Sequence, residues 1–116
     1  MVANRDYVEV IYNERDRPFT SYPGKLARYL TDRYTLSNGL RILEIGCGRG
    51  EFLNGFIDCG LVGYGVDRSP AAISYCPEAD IRIADLERDR IPYDDESFDV
   101  TYSKSVVEHF YYPEFL

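Results

Sequence analysis

The chain has 116 residues, a net charge of −7 and a pI near 4.6, with 45% hydrophobic and 28% charged residues. Such a length allows one domain with a modest core, and so acidic a balance argues against a nucleic-acid backbone as the main partner. The opening Met1-Val2-Ala3-Asn4-Arg5-Asp6 shows no apolar stretch of signal-peptide type, and no run approaches membrane-spanning length. Three cysteines, Cys47, Cys59 and Cys76, have no metal-type spacing; an odd count fits reduced thiols and a cytoplasmic location.

In chain order, residues 1–20 read as an N-terminal extension or lid, with a short apolar cluster at Tyr7, Val8, Val10, Ile11 and Tyr12. Ser21-Tyr22-Pro23-Gly24 opens a helix, with Ser21 as cap and Pro23 in the first turn. Leu26, Tyr29, Leu30 and Tyr34 recur at helical spacing and are expected to face the sheet. Ser37-Asn38-Gly39 turns into Ile42-Leu43-Glu44-Ile45, a strand ending near an acid. Gly46-Cys47-Gly48-Arg49-Gly50 follows, and Phe52, Leu53, Phe56 and Ile57 then mark the buried stripe of a helix that Gly60 ends. Cys47 in this loop reads as a small residue in a tight turn, since neighbouring acids disfavour a thiolate.

Gly63-Tyr64-Gly65-Val66-Asp67 reads as a second strand, its acid 17 residues after the last loop glycine. Ser69-Pro70 repeats the cap-then-proline start. Ile81-Arg82-Ile83-Ala84 is a third strand followed by Asp85, residues 87–93 form a charged loop, and residues 98–102 a fourth strand. Strands alternating with helices imply an α/β, doubly wound parallel sheet, whose ligands sit in the crevice at the carboxyl ends of the strands. A nucleotide-like cofactor is therefore expected across residues 46–50. A dinucleotide fingerprint wants a further glycine where Glu51 stands, and Glu44 would repel phosphates. S-adenosylmethionine has no phosphate and carries an ammonium and a sulfonium, so acids at strand tips suit it.

These segments resemble the motifs of one family. Leu43-Glu44-Ile45-Gly46-Cys47-Gly48-Arg49-Gly50 resembles the first motif of class I S-adenosylmethionine-dependent methyltransferases. Gly65-Val66-Asp67-Arg68-Ser69 is similar to their second and Ala84-Asp85-Leu86 to their third. The stretch from Ile91 through Phe98-Asp99-Val100 to Ser103-Lys104-Ser105-Val106-Val107-Glu108-His109 is similar to their fourth block. The resemblance implies a Rossmann-like sheet with strand order 3-2-1-4. The family's domain continues through three further strands, so residues 21–116 are expected to be its N-terminal part, truncated after the fourth strand. Sheet-edge chemistry then suggests self-association through that strand, with marginal stability and no methyl transfer by the chain alone, to be read by sedimentation and a methyl-transfer assay.

The resemblance implies roles residue by residue. Gly46, Cys47, Gly48 and Gly50 give the close backbone approach, and Glu44 orients the amino-acid end of the cofactor, a structural cap being its alternative. Asp67 holds the ribose diol or caps the next helix; Arg68 lies over the adenine or is solvated. Asp85 accepts the adenine amino group or is a turn residue, and the Leu86 N–H reaches a ring nitrogen. Ser103 borders the methionine moiety, and Tyr22 either approaches the cofactor or packs in the core. His109, the one histidine, is the candidate general base or merely a packing residue. S-adenosylhomocysteine would be the product. The acceptor is unreadable: a small molecule, lipid headgroup, sugar or protein side chain. The rival readings are a non-catalytic S-adenosylmethionine-binding fragment and an NAD-type nucleotide domain.

Overall fold

Alternation along the first strand sorts its side chains to two faces. The computed structural model describes residues 19–104. In it β1 (Arg41–Ile45) sends Ile42 into a core shared with Leu53, Phe56, Leu61, Cys76 and Ile81, and Leu43 into a second core with Val66, Ala84 and Leu86. β1 lies between β2 (Val62–Asp67) and β4 (Val100–Ser103), and β3 (Asp80–Ile83) pairs with β2. All pairings are parallel, giving the expected order β3-β2-β1-β4. Among the described residues β4 pairs only with β1, which leaves its other edge free. The fourth strand begins at Val100 rather than Phe98. Phe98 instead turns under the second face, where its ring lies 5.1 Å from both Tyr64 and Tyr93.

α1 (Tyr22–Arg33) and α2 (Glu51–Asp58) cover the first face together. α1 packs mainly on α2, not on the strands, and it buries Pro23, Ala27 and Thr31. Of the larger residues expected to face the sheet, Tyr29 and Tyr34 are exposed and Leu26 is half-buried, while Leu30, also half-buried, does pack against the first core. Close approach explains the change. A methyl group added at Gly55 would lie 2.8 Å from the Ala27 Cβ and 3.2 Å from the Gly24 Cα. The helices therefore meet on their smallest residues, and ordinary side chains there would force them apart. Ser21 occupies the N-cap position of α1, but its side chain makes no capping bond.

α3 (Ala72–Tyr75) is a single turn whose N-cap is Ala71, so Ser69 is not the cap that the Ser69-Pro70 pair suggested. Ser69 is buried, and its N–H donates to Asp67 Oδ1 at 2.9 Å. The turns at Gly39 and Gly60 form as expected, with the Gly39 N–H donating to the Gly60 carbonyl at 2.9 Å. The expected lid lies outside the described residues except for Phe19 and Thr20, and so does His109.

Candidate functional site

Between β1 and α2 the backbone must reverse within five residues, and three of them are glycines with positive φ: 71° at Gly46, 54° at Gly48 and 71° at Gly50. A side chain would strain all three positions. The Gly46 and Cys47 N–H groups both donate to the Val66 carbonyl, the Gly50 N–H to the Cys47 carbonyl, and the Gly48 N–H to Asp67 Oδ2 at 2.8 Å. The loop thus spends these four donors inside the fold. Space lies open above Gly48, where a built Cβ meets nothing within 4 Å, whereas at Gly50 it would lie 2.6 Å from the Cys76 Cβ.

Beneath this loop sits Glu44. It points to the α2 side of β1, is 3% exposed, and accepts a hydrogen bond from the Leu53 backbone N–H in the first turns of α2. Its Oε1 is buried and has no partner among the described residues. Burial raises its carboxyl well above the usual carboxylate range; the Asp67 carboxylate and, less, Glu51 add to this, while the Leu53 N–H opposes it. An unpartnered buried carboxylate oxygen is a costly feature that a cation beside it would relieve.

Asp67 ends β2, is 4% exposed, and ties the glycine loop to the turn that follows, through Gly48 and Ser69. Asp67 thus has the structural role of tying the loop to the following turn, and a carboxylate, with about four lone-pair directions, can serve a ligand as well as such a tie. Arg68 is exposed beside it. Asp85 is half-buried and organises a turn, accepting from the Glu87 N–H at 3.1 Å while its own N–H donates to Asp89 Oδ2 at 3.0 Å. The Leu86 side chain is buried in the second core, and Ser103 is exposed at the end of β4, in register with Ile45. The structure thus gathers Glu44, residues 46–50 and Asp67 into one constellation and places Arg68, Asp85 and Ser103 on neighbouring strand ends.

Cys47 is buried with its sulfur against Gly65, where an added Cβ would lie 2.9 Å from Sγ. Burial, then Asp67 and Glu44, push its thiol up, which agrees with a packing role. Cys76 is likewise pushed up to about 11, chiefly by burial, and its thiol donates to Asn54 Oδ1.

Two features, Arg49 and Tyr102, escaped the sequence reading, and a third, Tyr22, departs from its expected core packing. Arg49 is buried and ion-paired with Glu51 at 2.8 Å; an acid two residues after the arginine was the available signal. Tyr102 faces Phe52 and Phe56 at 5.9 and 5.2 Å, and its hydroxyl is raised to about 12 by burial and then by Glu44. Tyr22 packs edge-on to Phe52 yet is 55% exposed, so it is not a core residue. Two grooves of about 380 and 570 Å³ open elsewhere, the first around Arg41, Tyr64 and Arg82, the second between α1 and α2. Neither is lined by residues 46–50, and neither holds an unpartnered buried polar atom.

Residues 43–116 match the methyltransferase domain family, and the chain belongs to that family. Its sheet order and helix placement are those of the class I S-adenosylmethionine-dependent methyltransferase fold. The chain is 27% identical over 111 residues to the Xenopus tropicalis tRNA (carboxymethyluridine(34)-5-O)-methyltransferase alkbh8, covering 91% of this chain and 17% of that protein. A TehB-like S-adenosylmethionine-dependent methyltransferase from Corynebacterium glutamicum superposes with a TM-score of 0.61 at 28% identity, over 84% of this chain and 52% of the other. The structure of a complex between the Haloferax volcanii Trm112 methyltransferase activator and a methyltransferase matches at a TM-score of 0.74 and 22% identity, over 96% and 52%. The chain therefore spans about half the length of these solved neighbours and far less of the curated relative. Among the described residues no helix is long and apolar enough to cross a membrane.

Proposed function

We propose that this chain binds S-adenosylmethionine across residues 46–50 and serves a methyltransferase that passes the methyl group to an acceptor by in-line displacement. The observation that carries the reading is the buried Glu44 Oε1, unpartnered among the described residues, beneath a glycine loop that spends four of its N–H donors internally. A pyrophosphate needs outward-facing N–H groups, whereas a cationic ligand needs an acceptor of this kind. When bound, the cofactor supplies a methyl group made electrophilic by its sulfonium.

In this reading Glu44 faces the ammonium, residues 46–50 give close backbone approach, and Asp67 holds the ribose hydroxyls. Arg68 flanks the adenine, Asp85 and the Leu86 N–H meet its edge, and Ser103 borders the methionine moiety. His109 is the candidate general base. The boundary between an extension over residues 1–20 and the cofactor domain, a cytoplasmic location, and self-association through the free edge of β4 belong to the same proposal. The Xenopus relative's tRNA acceptor is not carried over, because a net charge of −7 suits a polyanion poorly.

Titration calorimetry of the 116-residue chain with S-adenosylmethionine and with NAD tests the reading. Binding of the first and not the second is expected; tighter binding of the dinucleotide would overturn it.

A further inference from the structure

The glycine loop carries one large side chain, Arg49, between the left-handed Gly48 and Gly50, and it is only 6% exposed. A buried guanidinium is tolerated where its charge is met. Here Nε and Nη2 lie 2.9 and 2.8 Å from Glu51 Oε1, in the first turn of α2, and the guanidinium carbon stands 4.2 Å from the centroid of the Phe19 ring. Phe19 belongs to the segment ahead of α1. Its ring also stands edge-on to Tyr75 of α3 at 6.0 Å, and the Tyr75 carbonyl accepts from Asn54 Nδ2 of α2 at 3.3 Å. The Arg49 cation therefore joins the loop to α2 and to the segment before α1, and the Phe19 ring reaches on to α3.

We propose that Arg49 is a positioning residue for the cofactor loop, and that Phe19 acts with it as a clasp coupling the segment ahead of α1 to cofactor affinity; this rests on the functional reading above. The open face of Gly48 is the place of closest ligand approach, and the orientation of Arg49 constrains the backbone on both sides of it. Holding the arginine by a planar ion pair and a ring keeps the loop in its binding shape before the ligand arrives, which lowers the ordering cost of binding. Lysine cannot replace it, because an ammonium lacks the planar fork that pairs and stacks at once. Phe19 itself is 47% exposed and belongs to neither core, so shortening it acts on the clasp without emptying the interior.

The test is calorimetric titration of S-adenosylhomocysteine into the full 116-residue chain and its F19L, F19Y, R49K and F19L/R49K variants, with thermal melting of each without ligand. Phe19→Leu is expected to weaken binding about three- to fivefold, the range of a partly desolvated cation–π contact, and to lower the ligand-free melting temperature by a few degrees, because the contact it removes is already made without ligand. Phe19→Tyr is expected to keep the original affinity. The double variant is expected to bind no more weakly than R49K alone, because the two residues act through one contact. An unchanged affinity in F19L, a failure of F19Y to restore it, or fully additive losses would each overturn the proposal. The F19L and F19Y pair decides it even if R49K does not fold. Absence of binding by the unsubstituted chain would overturn the functional reading, and the clasp with it, whereas tight binding by that chain and by F19L alike overturns the clasp alone.

Discussion

Glu44→Gln is expected to make the ligand-free chain more stable at neutral pH while weakening S-adenosylmethionine ten- to a hundredfold. The carboxyl lies under the glycine loop at 3% exposure with Oε1 unpartnered, and burial raises it above its ordinary range. The folded chain therefore holds this proton to a higher pH than the unfolded chain. Below the ordinary glutamate range the group is protonated in both states and costs nothing. As pH rises from that range to the raised value, stability is lost, and above it the full penalty remains. Glutamine cannot ionise, yet its carbonyl can still accept from the Leu53 N–H. Replacing a buried, poorly compensated charge is worth about 1–3 kcal/mol. The gain should appear at pH 8 and vanish towards pH 4 in urea or thermal unfolding. The loss of affinity follows from the worth of a charge-assisted contact, about 1.5–3 kcal/mol. Binding by the unsubstituted chain should also tighten as pH rises, because a cation favours the ionised carboxylate. A glutamine variant that is less stable at pH 8, or that binds as well, would show that the carboxylate serves the fold alone.

Asp67→Ala is expected to damage both fold and binding. The carboxylate accepts from the Gly48 and Ser69 N–H groups at 2.8 and 2.9 Å, and alanine would strand both donors in a buried site. At about 1–3 kcal/mol for each unsatisfied donor, the loss is about 2–6 kcal/mol from a total that is typically about 5–15 kcal/mol. Asp67→Asn separates the roles: its side-chain oxygen keeps one backbone bond, so the variant should fold, while affinity falls about tenfold or more through loss of the charged acceptor. Chemical unfolding and calorimetry read the two effects separately. An alanine variant within about 0.5 kcal/mol of the original would mean that the loop is held by other contacts.

The sheet was legible because its signals are local and ordered along the chain. Apolar runs closing on Glu44, Asp67 and Asp85 mark the three strand ends, and a glycine at every second position marks a loop that needs left-handed backbone. The resemblance supplied the strand order. What remained hidden depends on how elements approach one another. Hydrophobicity pointed to Leu26, Tyr29, Leu30 and Tyr34 as the buried face of α1, but contact with Gly55 selects Pro23 and Ala27 instead. Ser69-Pro70 looked like a helix start, yet Asp67 captures the Ser69 N–H and the helix begins later. The charged loop over residues 87–93 concealed Tyr93, whose hydroxyl donates to the Asp80 carbonyl at 2.7 Å and whose ring closes the second core with Tyr64 and Phe98. That Glu44 would be left with an unpaired oxygen depends on the seat of α2 over β1, which no short motif encodes.

The central claim is that the cofactor sits over the glycine loop, between Glu44 and Asp67. Its most direct test is a titration of the isotopically labelled 116-residue chain with S-adenosylhomocysteine, followed by two-dimensional amide NMR. The largest shifts are expected on residues 46–50, Asp67, Arg68, Asp85 and Leu86, while Tyr64, Arg82 and Tyr93 beside the groove on the opposite face stay in place. Shifts gathered around that groove, or none at saturating ligand, would contradict it.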